Sequence, residues 1–163
     1  MAETYRVRVT KDHLTFCSGH FISFEGDKCE RLHGHNYRVA VEIEGPLDEN
    51  HYVFDFIALK NLTMAITDDL DHRMMLPLEN PHILVAQTGQ QIEVRFAERH
   101  WSFPKDDCVL LPVANTTAEL LARYLAGRLL ASLQQERGFT PAVLRVEVEE
   151  SLGQSAQVAL RGR

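Results

Sequence analysis

Apolar and polar residues alternate from the fifth position: Tyr5, Val7 and Val9 against Arg6, Arg8 and Thr10. A period of two marks a half-buried strand. The period returns from His33 to Glu44, where Tyr37, Val39, Val41 and Ile43 share one parity and Arg38, Glu42 and Glu44 the other. His33 and His35 have the parity of the apolar set, so a continuous strand turns both imidazoles toward the buried face. Gly45 to Asn50 reads as a turn. Asp55 then stands where it can cap a helix carrying Phe56, Leu59, Leu62, Ile66 and Leu70, which ends near Asp71-His72, before Pro77. Thr116-Thr117-Ala118-Glu119 has capping-box form ahead of Leu120, Leu121, Tyr124, Leu125, Leu129, Leu130 and Leu133. Gly138 and Pro141 stop this second helix. Leu144, Val146 and Val148 alternate with Arg145, Glu147 and Glu149, and Ala156, Val158 and Leu160 form a short closing strand. Between the helices, from about Pro77 to Pro112, the chain reads as strand and turn. Ile92, Val94 and Phe96 alternate with Glu93 and Arg95, Thr88-Gly89 turns the chain, and Trp101, Phe103 and Cys108-Val109-Leu110-Leu111 follow. The order ββα, a β-rich excursion, then αββ predicts an α+β fold with an antiparallel sheet.

Composition narrows this picture. A chain of 163 residues fits one domain, and 45% hydrophobic content suffices for a core without a disulfide framework. Cys17, Cys29 and Cys108 are odd in number and widely spaced, as expected of reduced thiols. Met1 is followed by polar residues, so no secretory signal is expected, and no apolar run approaches the roughly 18 residues of a membrane span. The expected location is the cytoplasm. A net charge of −6 and a pI near 5.7 argue against nonspecific nucleic-acid binding. A phosphorylated small substrate remains compatible, since a few local cations can hold one. There is no internal repeat, linker, GxGxxG or P-loop pattern.

The chemistry concentrates between His20 and His35. His20, His33 and His35 could supply neutral imidazoles to a Zn²⁺ ion with an open fourth position, or Cys29 could close the site as a fourth, structural ligand. Two hydrogen-bonded histidines at the core edge would explain His33-Gly34-His35 equally well. Cys29 lies among Lys28, Glu30 and Arg31, and nearby cations lower a thiol pKa, which suits a base or nucleophile; a small buried hydrophobe is the alternative. Asp71 could orient His72, although spacing alone favours a charged helix end. Glu150 has the parity of Leu144, Val146 and Val148, and a carboxylate ending an apolar face needs a partner unless the strand has already ended in solvent. Glu119 is accounted for by the capping box. His13, His51, His82 and His100 join no constellation.

Taken together, the motifs resemble those of the 6-pyruvoyl-tetrahydropterin synthase family, which includes the 6-carboxytetrahydropterin synthases. The similarity rests on Phe16-Cys17-Ser18-Gly19-His20, Cys29 through Tyr37, Leu70-Asp71-His72, Thr116 through Glu119, and Val146 through Ser151, all in the family's order. Ser151 stands where the family usually has Thr, and the excursion at about 77–112 is longer than the usual link. The resemblance implies a single tunnelling-fold (T-fold) domain over residues 1–163, with a four-stranded antiparallel sheet, two helices on one face and a β-rich insertion. It implies an oligomeric barrel, a homotrimer or homohexamer with sites between subunits. It also implies that His20, His33 and His35 hold a catalytic Zn²⁺, that Cys29, Asp71 and His72 form the catalytic triad, and that Glu150, assisted by Glu119, anchors a pterin ring.

The implied substrate is 7,8-dihydroneopterin triphosphate. Cys29 stands four residues before His33, a compact loop that resembles the bacterial type making 6-carboxy-5,6,7,8-tetrahydropterin and acetaldehyde for queuosine-type 7-deazapurines. Triphosphate elimination to 6-pyruvoyl-tetrahydropterin, without carbon–carbon cleavage, is the alternative outcome. A paralogue type that cleaves dihydroneopterin phosphates carries Glu in place of Cys29, and Cys29 speaks against it. From another class, a non-catalytic zinc-stabilised pterin-binding oligomer would share the fold.

Overall fold

The computed structural model describes residues 3–162; Met1, Ala2 and Arg163, the ends of the expected domain, lie outside the described residues. The chain forms β1 (Tyr5–His20), β2 (Ser23–Phe24), β3 (Lys28–Cys29), β4 (His33–Gly45), α1 (Phe56–Asp68), β5 (Arg73–Pro77), β6 (Leu84–Thr88), β7 (Gln91–Phe96), β8 (Arg99–Pro104), β9 (Cys108–Leu111), α2 (Ala118–Arg137), β10 (Val143–Ser151) and β11 (Gln154–Arg161).

The main sheet departs from the four-stranded expectation. It has six strands in the order β11-β10-β4-β1-β5-β9. The first four pair antiparallel, as expected. β5 and β9 add two short parallel pairings at one side. β5 escaped sequence reading because Met74, Met75, Leu76 and Pro77 are all buried, so the segment shows no alternation.

α1 and α2 cover one face of this sheet. Leu59, Leu62 and Ile66 from α1, and Leu121, Leu125, Leu129 and Leu133 from α2, share one core with Val39, Val41, Ile43, Leu144, Val146 and Val148. Each such aliphatic side chain contributes about 1.5–3 kcal/mol on burial. Asp55 caps α1 by accepting from the Ala58 amide at 2.6 Å, as the sequence predicts. The helix ends at Asp68, a few residues before Asp71-His72, and Phe56 is exposed rather than part of the apolar stripe. Gly138 closes α2 in the left-handed region at φ 60°, its amide donating to the Gln134 carbonyl. Among the described residues, the opposite face of the sheet carries no helix. Arg6, Arg8 and Arg145 interleave there with Glu42, Glu44 and Glu147.

One irregularity turns the second half of β1, and with it His20, inward. Between Thr10 and Thr15, β1 advances five positions while β4 advances two, from Ala40 to Arg38, leaving three extra residues on β1. An odd insertion flips side-chain parity. Val7 and Val9 face the core before the bulge; Leu14, Phe16, Ser18 and His20 face inward after it. His20 therefore lands directly opposite His33, and Ser18 opposite His35.

The excursion builds a second, smaller unit. β6, β7 and β8 form an antiparallel meander with Thr88-Gly89 at its first turn. Its inner face (Ile92, Val94, Phe96) packs with Phe21, Met74, Leu76, Ile83 and Cys108 into a separate cluster. Trp101 and Cys29 lie at its margin, so the insertion leans on the chain between His20 and His33. No helix among the described residues is long and apolar enough to cross a membrane.

Candidate metal and catalytic site

Three strands deliver four metal-capable side chains to one point. His20 comes from β1, His33 and His35 from β4 and Glu150 from β10, with ligand atoms within 4.8 Å of one another. Strand parity accounts for the pair on β4, and the bulge for His20. Gly34 allows the strands to close up between the two histidines: a Cβ there would meet the Ser18 carbonyl oxygen at 3.0 Å. The ring centroids stand 4.7 Å (His20–His33), 4.8 Å (His33–His35) and 5.2 Å (His20–His35) apart.

Hydrogen bonds fix which edge is bare in two of the three rings, His20 and His33. His20 Nδ1 lies 3.0 Å from the Thr116 carbonyl oxygen and 3.2 Å from its hydroxyl. His33 Nδ1 lies 2.7 Å from the Arg31 carbonyl oxygen. A carbonyl only accepts, so Nδ1 carries the proton in both rings and each Nε2 presents a lone pair. His20 and His35 leave their Nε2 atoms buried without a hydrogen-bond partner. Glu150 Oε1 approaches them to 3.9 and 3.0 Å, but neither contact is a directed hydrogen bond. Burial pushes the His20 imidazole down to about 4; the Thr116 carbonyl opposes this, and His33 and His35 add to the lowering. His20 is therefore neutral near pH 7, the form that ligates a metal. The bare nitrogens, carbonyl-held rings and adjacent carboxylate fit a metal ion. Beneath them lies Tyr37, fully buried and stacked on Phe16 at 4.7 Å. Burial raises its phenol, and the Glu150 carboxylate raises it further.

Thr116 corrects the capping box. The N-cap of α2 is Thr117, whose hydroxyl accepts from the Leu120 amide at 3.4 Å. Thr116 is buried and turned to His20 instead, so Glu119 sits one position too early to close the box. Two successive threonines were the available signal, since a cap needs only one. Glu119 is exposed and lines a cleft of about 390 Å³ with Ile22, Thr117, Glu150, Gln154 and Ser155.

Cys29 lies on the short hairpin of β2 and β3, paired with Ser23, rather than in an open loop. Burial pushes its thiol up rather than down, Arg99 opposes this, and Glu30 adds to the rise. The sequence-adjacent Lys28 pairs with Glu25 instead. Asp71 and His72 form a dyad: His72 Nδ1 and Asp71 Oδ2 are 2.7 Å apart, while Asp71 Oδ1 accepts from the Cys17 amide at 2.7 Å. That amide holds the Asp71 carboxyl below its ordinary range, and His72 adds to this. His72 sits in the left-handed region at φ 56°, its own amide donating to the Cys17 carbonyl. No hydrogen bond or ion pair among the described residues joins the dyad to Cys29, and the His72 side chain is 82% exposed. His13, His51, His82 and His100 lie outside the cluster, His100 against Glu93 on the insertion.

Comparison with known proteins agrees with this geometry. The sequence pattern of the family described as 6-pyruvoyl tetrahydropterin synthase matches residues 8–160, and the chain belongs to that family of tetrahydropterin-forming enzymes. It is 32% identical to a putative 6-carboxy-5,6,7,8-tetrahydropterin synthase from Methanocaldococcus jannaschii over 145 residues, 88% of each chain. It is 34% identical to a dihydroneopterin monophosphate aldolase from Pyrococcus furiosus over 86 residues, 52% of this chain and 68% of that one. Its fold matches the 6-pyruvoyltetrahydropterin synthase of Plasmodium vivax, solved with a catalytic glutamate replaced by alanine. That match has a TM-score of 0.91 at 28% identity, covering 98% of this chain and 99% of the other. With such coverage, the insertion is part of a shared architecture.

Proposed function

We propose that the chain is a zinc-dependent lyase. It converts 7,8-dihydroneopterin triphosphate and water to 6-carboxy-5,6,7,8-tetrahydropterin, acetaldehyde and triphosphate, a reaction that serves queuosine-type 7-deazapurine synthesis in the cytoplasm. The observation that carries this reading is the convergence of three inward imidazoles, two of them locked by backbone carbonyls with Nε2 bare. His20, His33 and His35 would hold Zn²⁺, which when bound supplies Lewis acidity to the oxygens of the substrate side chain. Cys29 takes a proton from the side-chain carbon, and His72, oriented by Asp71, relays another. Glu150 and Glu119, which share one cleft, accept hydrogen bonds from the amino and ring N–H groups of the pterin. The exposure of His72 within one chain supports a site completed by a second copy, with Cys29 and His72 from different subunits of a homotrimer or homohexamer.

The testing experiment incubates zinc-loaded protein with 7,8-dihydroneopterin triphosphate and reads products by mass. 6-Carboxytetrahydropterin with acetaldehyde is the expected result. 6-Pyruvoyl-tetrahydropterin and triphosphate without acetaldehyde would keep the site and reassign the product. A second reading rests on Glu30, whose carboxylate lies 3.8 Å from His33 Nε2 and gives the site another base. Aldol-type cleavage of a dihydroneopterin phosphate, the activity in the name of the Pyrococcus relative, is the chemistry it would serve. A hydroxymethyl-dihydropterin product dependent on Glu30 and independent of Cys29 would select it.

A further inference from the structure

Arg99 carries the insertion's hydrogen bonds to the Cys29-Glu30 turn. The β7–β8 turn passes through Ala97 at φ 48°, and Arg99 begins β8 opposite Phe96. The Arg99 guanidinium lies over the Trp101 ring, 4.6 Å from its centroid. Trp101 in turn stacks on Phe21 at 4.5 Å and 22°, one residue after His20. From this platform Arg99 Nη1 donates to the Cys29 carbonyl at 3.0 Å and to the Glu30 carbonyl at 2.9 Å. Both hydrogens of one terminal nitrogen are thereby used on successive carbonyls. A stacked, planar cation with fixed donor directions makes that pair of contacts; a lysine ammonium could not stack and fork together.

We propose that Arg99 is the positioning residue for Cys29: the insertion acts through it to fix the backbone of the Cys29-Glu30 turn, and so the point from which the thiol takes its proton. This rests on the reading of Cys29 as the proton acceptor. The electrostatics run the same way. The charged groups that bear on the thiol are Glu30, from its own turn, and Arg99, from β8. Arg99 is the one that favours thiolate, against burial and Glu30. Removing Arg99 frees the turn and leaves both opposing effects unbalanced. The insertion thereby serves the site directly, because its core of Ile92, Val94 and Phe96 makes the base on which the Arg99–Trp101–Phe21 stack stands.

The test uses zinc-loaded full-length protein with Arg99→Gln and Arg99→Lys. Cys29 alkylation is followed by peptide mass across pH, beside kcat, KM, metal content and Tm. For Arg99→Gln the expected result is an alkylation midpoint moved to higher pH and kcat lowered about 10- to 100-fold. KM, metal content and Tm stay near those of the parent. Arg99→Lys restores much of the midpoint but not kcat, because charge returns without the fork; a merely structural Arg99 would not split the two readouts. Unchanged midpoint and unchanged kcat in Arg99→Gln would overturn the proposal. If Arg99→Gln loses its fold, Arg99→Lys decides by the same kcat criterion. Cys29→Ala is the control for the underlying reading. Should it retain turnover, the base assignment fails, and the Arg99→Gln midpoint alone then decides whether Arg99 sets the Cys29 turn.

Discussion

The two imidazole–carboxylate groupings of this chain are built in opposite ways. His20, His33, His35 and Glu150 come from three adjacent strands, face inward and lie within 4.8 Å of each other. Asp71 and His72 are neighbours in sequence, the Asp71 carboxylate accepting from the Cys17 amide and the His72 amide donating to the Cys17 carbonyl, and His72 projects into solvent. One grouping is complete within a chain. The other stands at the surface of one chain, with the His72 side chain 82% exposed. Under the proposed function, the contrast separates a metal centre that one chain would build by its fold alone from acid–base groups that would need a second copy.

The strongest way to break this comparison is to remove His20, the buried member of the inward-facing group. His20→Ala should abolish metal retention and turnover together, by more than the roughly 100-fold ceiling of second-sphere changes, measured by metal analysis and product mass. Cys29→Ala should lower turnover about 10²–10⁴-fold while metal content stays at the parent level; zinc lost in that variant would make Cys29 a structural ligand. Thr116→Val removes the hydroxyl at 3.2 Å from His20 but leaves the carbonyl at 3.0 Å. Metal affinity should therefore fall only about 10-fold, the low end for such partners, by competition with a chelator.

Mixing sharpens the other side. Inactive Cys29→Ala and His72→Ala proteins, unfolded and refolded together, should recover about a quarter of parental activity if sites join two chains at random; no recovery would place both residues in one chain's site. The smallest effect concerns the dyad's own stability. Asp71 has a folded pKa below its ordinary value, so its contribution is full above the unfolded pKa and is lost as pH falls through the folded one. With its side chain 37% exposed and so screened by solvent, it contributes under about 1 kcal/mol, and Asp71→Asn should flatten the acid limb of a pH–Tm profile by that amount.

Much of this was legible in the sequence because it obeys local periods. The parity of β4 placed His33 and His35 inward, Asp55 capped α1 and Gly138 ended α2. Glu150 shared parity with Val146 and Val148 and does reach the histidines. What escaped obeys no local rule. β5 is buried throughout and so has no alternation. The β1 bulge that turns His20 inward is a count of residues against a partner strand, invisible in one strand alone. Lys28 and Arg31 lie beside Cys29 in sequence, yet the cation that bears on it is Arg99, seventy positions away. Backbone carbonyls as partners, at Arg31 and Thr116, leave no trace in side-chain identity.

Gly34 has a consequence for how such a site tolerates mutation. Any side chain there would press on the Ser18 carbonyl, a backbone atom that cannot rotate aside. In a saturation library screened for metal retention, position 34 should therefore be as intolerant as the two proposed ligands that flank it, although Gly34 itself offers no ligand atom. A designer transplanting this centre to another sheet would have to copy the gap between strands along with the three imidazoles.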